Sequence, residues 1–340
     1  MPQQLFSRIL TKATNLNASD IHIHPTTKYW IVRLRILNKL HTIMQLPLLE
    51  GAKLQSYLKF QASMDICEKR KPQSGQFEKQ LNEKTFALRI SALPDKLGSE
   101  SLVIRLFHYQ ATIPFLNSTI FKASAKKIIA CCHNRYGLFL FSGTTGSGKS
   151  NSMYSLANEL CRNRAKHVIT VEDPVEHYSP SFLQVEINEK AGLNYEKVLR
   201  AVLRHDPDIL IIGEIRDSET AKMAIRAALT GHLVLSTIHA SNLNTMITRL
   251  TDLGVTRDDL NDALLGISYQ QLTDLYCPLC HRNCSIYCTH HPLKQTVLYE
   301  TANDELLTDC INGQASIHSS IKKQYRKGVA YGFFAEKRLE

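Results

Sequence analysis

Apolar residues recur at helical spacing through Leu5, Phe6, Ile9, Leu10, Ala13 and Leu16, which predicts an opening amphipathic helix. The period then drops to two. Ala18 to Pro25 alternates apolar and polar residues, and Ile31 to Leu37 reads as a second strand with Arg33 and Arg35 on one face. A helical stretch follows from about Gly51 to Met64, then a turn at Pro72-Gln73-Ser74-Gly75. Strand-like runs come next at Thr85 to Leu93 and Leu102 to Phe107. These elements predict a small α/β domain over residues 1–108, and residues 109–117, carrying Pro114, form the expected linker. Farther on, strand patterns at 137–142, 167–172, 208–213 and 232–238 alternate with helical patterns near 125–132, 149–161, 194–204 and 217–229. Such alternation predicts a doubly wound, mainly parallel sheet within residues 118–340. After about Leu253 the pattern reads as helical and then Cys-rich, giving an expected subdomain near 255–340.

Length and composition narrow the class. A chain of 340 residues with 44% apolar and 21% charged content can bury cores for two soluble domains. Its apolar runs, such as Ile209 to Ile212, are too short to cross a bilayer, and Met1 to Leu10 lacks the basic and apolar pattern of an export signal. The expected location is therefore the cytoplasm. The net charge of +10 permits an acidic partner, yet it is spread along the chain, and Ile321 to Lys327 is the densest patch. No aromatic-rich basic groove accompanies it, so direct nucleic-acid binding is not expected. Nine cysteines without an export signal point to reduced thiols or metal rather than disulfides.

The chemistry concentrates at Gly143-Thr144-Thr145-Gly146-Ser147-Gly148-Lys149-Ser150, which fits G-x-x-x-x-G-K-[ST] at every position. It follows a predicted strand and precedes a predicted helix. Glycines there let backbone N–H groups turn toward phosphate oxygens, with the helix N-terminus adding its dipole. Lys149 is expected to reach the β- and γ-phosphates of ATP, and the Ser150 hydroxyl to ligate Mg²⁺. Val168 to His177 delivers Glu172 just past a strand end, where it could position metal or water or stand as a solvated acid. Asp208 to Asp217 delivers another carboxylate. Gly213 occupies the place where phosphate-loop enzymes usually carry aspartate, which leaves Glu214 to orient and activate water; the competing reading is a carboxylate capping the helix near Asp217. Gly231 to His239 ends a further strand in a histidine. If the four strands are neighbours, His239 comes up beside the γ-phosphate.

Taken in order, ASDIHIHP at 18–25, RKPQSGQ at 70–76, GTTGSGKS at 143–150, VEDPVEH at 171–177, LRHDPDILIIGEIRD at 203–217 and LTGHLVLSTIH at 229–239 resemble the secretion ATPases that power type II secretion and type IV pili. The resemblance implies a RecA-like P-loop ATPase domain preceded by a small, PAS-like α/β domain. It also implies a homo-hexameric ring with ATP between the two, working on an integral-membrane platform protein at the inner face of the cell membrane. By the same resemblance Glu214 is the catalytic glutamate, Glu172 the Asp-box acid, His232 and His239 the His box, and Arg89 and Arg105 the arginines that reach the γ-phosphate. The RKPQSGQF and GSESLVIRLF segments look like the competence branch, whose motor assembles a pseudopilus for DNA uptake. Pilus retraction or type II secretion is the alternative within the family, and a nucleic-acid translocase or nucleotide-sensing scaffold the alternative outside it. Gln271 departs from the family's Gln-Arg-Leu motif by replacing its arginine.

Cys277, Cys280, Cys284 and Cys288 lie among His281, His290 and His291. Their spacing suits a closed, structural Zn²⁺ site with thiolate and imidazole ligands, and equally suits four reduced cysteines in a small hairpin.

Overall fold

The computed structural model describes residues 1–37, 39–81, 84–96, 98–108, 113–133, 136–162, 166–175, 177–188, 191–280, 285–288, 290, 293–314 and 320–336. The chain divides into two compact units: Met1–Gln110 with Ser285–Tyr287, and Ala111–Cys284 with Cys288–Glu340.

The first unit opens with α1 (Pro2–Asn15), which buries Phe6, Ile9, Leu10 and Ala13 on one face, as the spacing predicts. It continues through β1 (Asp20–Pro25), β2 (Tyr29–Ile36), β3 (Lys39–Pro47), α2 (Leu48–Gln61), β4 (Gln73–Leu81), β5 (Lys84–Pro94) and β6 (Glu100–His108). The strands form one antiparallel sheet in the order β3-β2-β1-β6-β5-β4. Period-two burial sets its two faces: Trp30, Val32, Leu34 and Ile36 of β2 enter the core with Ile21, Ile23, Ile90 and Ile104, while Arg33 and Arg35 project from the other side. The apolar pattern does not reveal the edge strands β3 and β4: β4 holds only Phe77 and Leu81 as large apolar residues, and β3 has no strict alternation, with Ile43 beside Met44 and a register shift against β2 between Val32 and Arg33.

A buried ion pair ties α2 to the start of β6. Lys59 and Glu100 are both essentially inaccessible, Lys59 Nζ lying 2.8 Å from each Glu100 carboxylate oxygen. Gln55 Nε2 donates to Glu100 at 2.7 Å, and Lys59 Nζ donates to the Glu68 carbonyl at 2.8 Å. Removing one member leaves an uncompensated buried charge. Lys59→Met is therefore expected to destabilise this unit by about 3–5 kcal/mol, read as a lower midpoint in urea unfolding. The double change Lys59→Met with Glu100→Leu is expected to recover much of that loss.

The second unit contains α3 (Lys122–Cys132), β7 (Gly137–Ser142), α4 (Lys149–Cys161), β8 (Val168–Glu172), β9 (Leu183–Glu186), α5 (Tyr195–Val202), β10 (Ile209–Ile212), α6 (Ser218–Leu229), β11 (Leu233–Thr237), α7 (Leu243–Asp252), α8 (Arg257–Ala263), β12 (Leu264–Asp274), β13 (Gln295–Asn303), α9 (Asp304–Asn312) and α10 (Ser320–Ala330). Its sheet runs β13-β12-β7-β11-β10-β8-β9, all pairs parallel except β12 with β13. Each residue of β7, β8, β10 and β11 is buried, which explains their mostly apolar runs. Alternate residues serve two cores. Leu138, Leu140, Leu210, Ile212 and Val234 pack with α6 and α7, while Phe139, Phe141, Ile209, Ile211, Leu233 and Leu235 pack with α3 and α4.

Two expectations are corrected here. The segment after Leu253 is not simply helical: β12 and β13 extend the sheet, β12 lying parallel beside β7. The buried polar residues Ser268, Gln270, Thr273 and Glu300 interrupt their apolar pattern and hide them from a periodicity reading. The far end of the expected linker is also no linker, because Phe115–Asn117 forms a 3₁₀ turn whose Phe115 is fully buried in the second unit's core.

Candidate active site

The phosphate loop joins β7 to α4. Gly143, Gly146 and Gly148 all have positive φ, at 150°, 78° and 84°. At Gly143 an added Cβ would lie 2.4 Å from the Gln270 carbonyl and 2.6 Å from Ser147 Oγ, so only glycine fits there. Gln270 of β12 also braces the loop with its side chain, Nε2 donating to the Ser147 carbonyl at 2.7 Å. This fully buried residue was not singled out from the sequence, and only the pairing of β12 with β7 brings it to the loop. Thr144, Thr145 and Gly146 are exposed at the tip, while Lys149 and Ser150 are half-buried in the first turn of α4. Lys149 Nζ donates to the carbonyls of Gly143 at 2.9 Å and Thr144 at 3.2 Å, curled over the loop where phosphate oxygens would be received. Glycine cradle, lysine, serine hydroxyl and helix N-terminus make a donor set that fits a nucleotide triphosphate with Mg²⁺.

The C-terminal ends of the neighbouring strands supply the acids. Glu214 follows β10, its Oε2 accepting from Arg216 Nε at 2.7 Å and its Oε1 lying 2.9 Å from His239 Nε2. The Glu214 hydrogen bond is the main cause raising the Arg216 pKa above its usual value. Glu214 does not cap the next helix. Asp217 does that, its carboxylate accepting from Thr220 N–H at 2.8 Å. His239 arrives beside Glu214 because β11 runs parallel to β10 on one side and to β7 on the other. Cross-links hold this rim: Thr237 Oγ1 donates to the Gly213 carbonyl at 2.8 Å, and Ser142 Oγ to the Ala240 carbonyl at 2.9 Å. Glu172 ends β8, nearly buried, and accepts a hydrogen bond from Tyr154 of α4. Gly213 passes so near it that an added Cβ would stand 3.3 Å from Glu172 Cγ. A side chain there would press on Glu172, which would have to yield by a few tenths of an ångström.

His232 does not join this cluster. It precedes β11 at the opposite end of the sheet, its Nδ1 3.0 Å from the Ala227 carbonyl. The length of β11, roughly 16 Å at ~3.3 Å per residue, separates it from His239.

In the first unit, Arg105 and Arg89 stand directly opposite each other on β6 and β5, both exposed on the face away from the core. Asp20 on β1 is paired with Arg105 on one side and Arg35 on the other. Its carboxylate lies 3.1 Å from Arg105 Nε and 3.7 Å from Arg35 Nε. A row Arg35-Asp20-Arg105-Arg89 thus crosses four strands. Two arginines facing each other across a ladder, their Cβ atoms ~5 Å apart, repel, so an anion above them would be stabilising. The sequence offered Asp20 only as part of an alternating strand.

The ligand atoms of Cys277, Cys280, Cys288 and His290 lie within 4.8 Å of one another. Sulfur separations are 3.5 Å for Cys280–Cys288 and 3.9 Å for Cys277–Cys288, and His290 Nδ1 is 3.2 Å from Cys288 Sγ. Zn–S bonds of ~2.3 Å in a tetrahedron require sulfur separations of about 3.8 Å, so the set fits a closed Cys₃His site. His290 takes the fourth place that the spacing had offered to Cys284, which lies outside the described residues.

The family model described as "Type II/IV secretion system protein" matches residues 2–330, and the chain belongs to that family. With the phosphate loop and acids just described, it is an ATPase. It is 39% identical over 333 residues to "Competence protein ComGA" of Halalkalibacterium halodurans, covering 97% of this chain and 95% of the relative. To the protein of the same description in Bacillus subtilis it is 37% identical over 339 residues, with the same coverages. The fold is similar to the crystal structure of the Legionella pneumophila ATPase DotB, with a TM-score of 0.73 over 98% of this chain and 93% of that one, at 22% identity.

Proposed function

We propose that this chain is the ATP-hydrolysing motor of a competence pilus, driving addition of pilin subunits to a pseudopilus that serves DNA uptake. The observation that carries the reading is the near full-length similarity to two competence proteins, together with Glu214 held between Arg216 and His239 at the strand ends beside the phosphate loop. Lys149 and the loop amides would bind the triphosphate, with Ser150 holding Mg²⁺, whose charge neutralises the phosphate oxygens. Glu214 orients the attacking water and accepts its proton. Glu172 positions groups at the same rim, and Arg89 and Arg105 of the PAS-like unit stabilise charge developing on the γ-phosphate. A ring of six chains, cycling through ATP closure and release by the RecA-like unit, acts on a membrane platform protein. Among the described residues no helix is long and apolar enough to cross a membrane. Attachment at the inner face of the membrane is assigned in this reading to that partner.

The test is deletion and complementation. Loss of transformation and of surface pilin together, restored by the wild-type chain, is the expected result. Abundant surface pili in the deletion strain would instead assign the motor to retraction. DNA added to the purified chain is expected to leave ATPase turnover unchanged, and clear stimulation would favour a translocase.

We also propose that Cys277, Cys280, Cys288 and His290 hold a structural Zn²⁺. One zinc per chain is expected by elemental analysis, with Cys288→Ser or a strong chelator removing it and lowering the melting temperature. Protein purified under metal-replete conditions with no zinc would defeat the assignment.

A further inference from the structure

Tyr154 lies outside the phosphate-loop fingerprint, yet its side chain is fully buried and its hydroxyl donates to Glu172 Oε1. The direction of that proton is dictated by a third residue. Gln184 of β9 donates from Nε2 to Tyr154 Oη at 2.7 Å, so an amide hydrogen meets the phenol oxygen and turns the single phenol proton toward the carboxylate. Gln184 is itself oriented at both ends. Its Oε1 accepts from Ser179 N–H at 2.7 Å, and Nε2 also donates to the His177 carbonyl at 2.6 Å. A flipped amide would oppose both contacts. Burial, then the neighbouring Glu172 charge, raises the Tyr154 hydroxyl well above the usual phenol range, so it persists as a donor.

The placement gives this chain a consequence for chemistry. Tyr154 follows Ser150 by four residues on α4, which puts both on one face of the helix that leaves the phosphate loop. Glu172 is thus fastened to the helix that carries the lysine and serine of the nucleotide site, and on its other flank it borders Gly213. We propose that Tyr154 is a positioning residue for Glu172, held in its donating orientation by Gln184. The proposal rests on the reading of Glu172 as part of the ATP site.

Tyr154→Phe removes one oxygen and keeps the ring contacts with Phe182 and His177, whose centroids lie 5.7 and 5.6 Å away. In the full-length protein it is expected to lower kcat on the order of 10- to 100-fold while KM and nucleotide affinity stay close to wild type. Gln184→Leu is expected to lower kcat in the same direction. The double variant should be no slower than Tyr154→Phe alone, because Gln184 reaches Glu172 only by way of the Tyr154 hydroxyl. Additive losses that follow the melting temperature would overturn the proposal in favour of simple packing, as would a raised KM with kcat intact. Glu172→Gln separates the two levels. An inactive Glu172→Gln beside a fully active Tyr154→Phe overturns the positioning role alone, whereas an active Glu172→Gln overturns both.

Discussion

Arg105→Ala is expected to cut ATP turnover by roughly 10³- to 10⁵-fold, the range an arginine contributes when it meets charge developing on a transferred phosphoryl group. Arg89→Ala should act in the same direction. Folding stability is a built-in control. The Arg105 side chain is 61% exposed, and its pairing with Asp20 is of the partly solvated kind that contributes at most about 1 kcal/mol. Asp20 retains Arg35 in any case. Arg105→Lys keeps the charge but loses the planar fork, so only part of the activity should return. Turnover within twofold of wild type in Arg105→Ala and Arg89→Ala, measured on the assembled protein, would remove these side chains from the reaction.

Glu214→Gln is expected to reduce turnover by roughly 10²- to 10⁴-fold while ATP still binds, since the amide keeps the shape but cannot take a proton from water. Single-turnover hydrolysis and fluorescent-nucleotide titration of the same preparation separate the two effects. The charged bonds to Arg216 and His239 are weakened in this variant, so His239→Gln is the companion measurement. It should give a smaller loss than Glu214→Gln if the imidazole serves mainly to hold the carboxylate. Equal affinity with unimpaired hydrolysis in Glu214→Gln would assign the base elsewhere.

Features written in consecutive residues were legible before any coordinates. The phosphate loop is one, because glycine spacing, lysine and serine act within eight positions and a single strand-to-helix turn. The central strands are another, because burial on both faces demands unbroken apolar runs such as Ile209 to Ile212. Strands whose burial depends on distant partners were not legible. β12 keeps Ser268 and Gln270 inside only because β7, β13 and the phosphate loop receive them.

The chain order by itself determined a glycine-rich strand-to-helix loop with the lysine and serine that phosphates need, and carboxylates at strand ends, since those properties depend on neighbours a few residues away. Which side chains meet was decided only in three dimensions: Tyr154 with Glu172, His239 with Glu214, Asp20 with Arg105, and His290 in the cysteine cluster. Hydrogen bonds and ion pairs act over about 3 Å, and residues tens of positions apart reach that distance only when strand order and register bring them there.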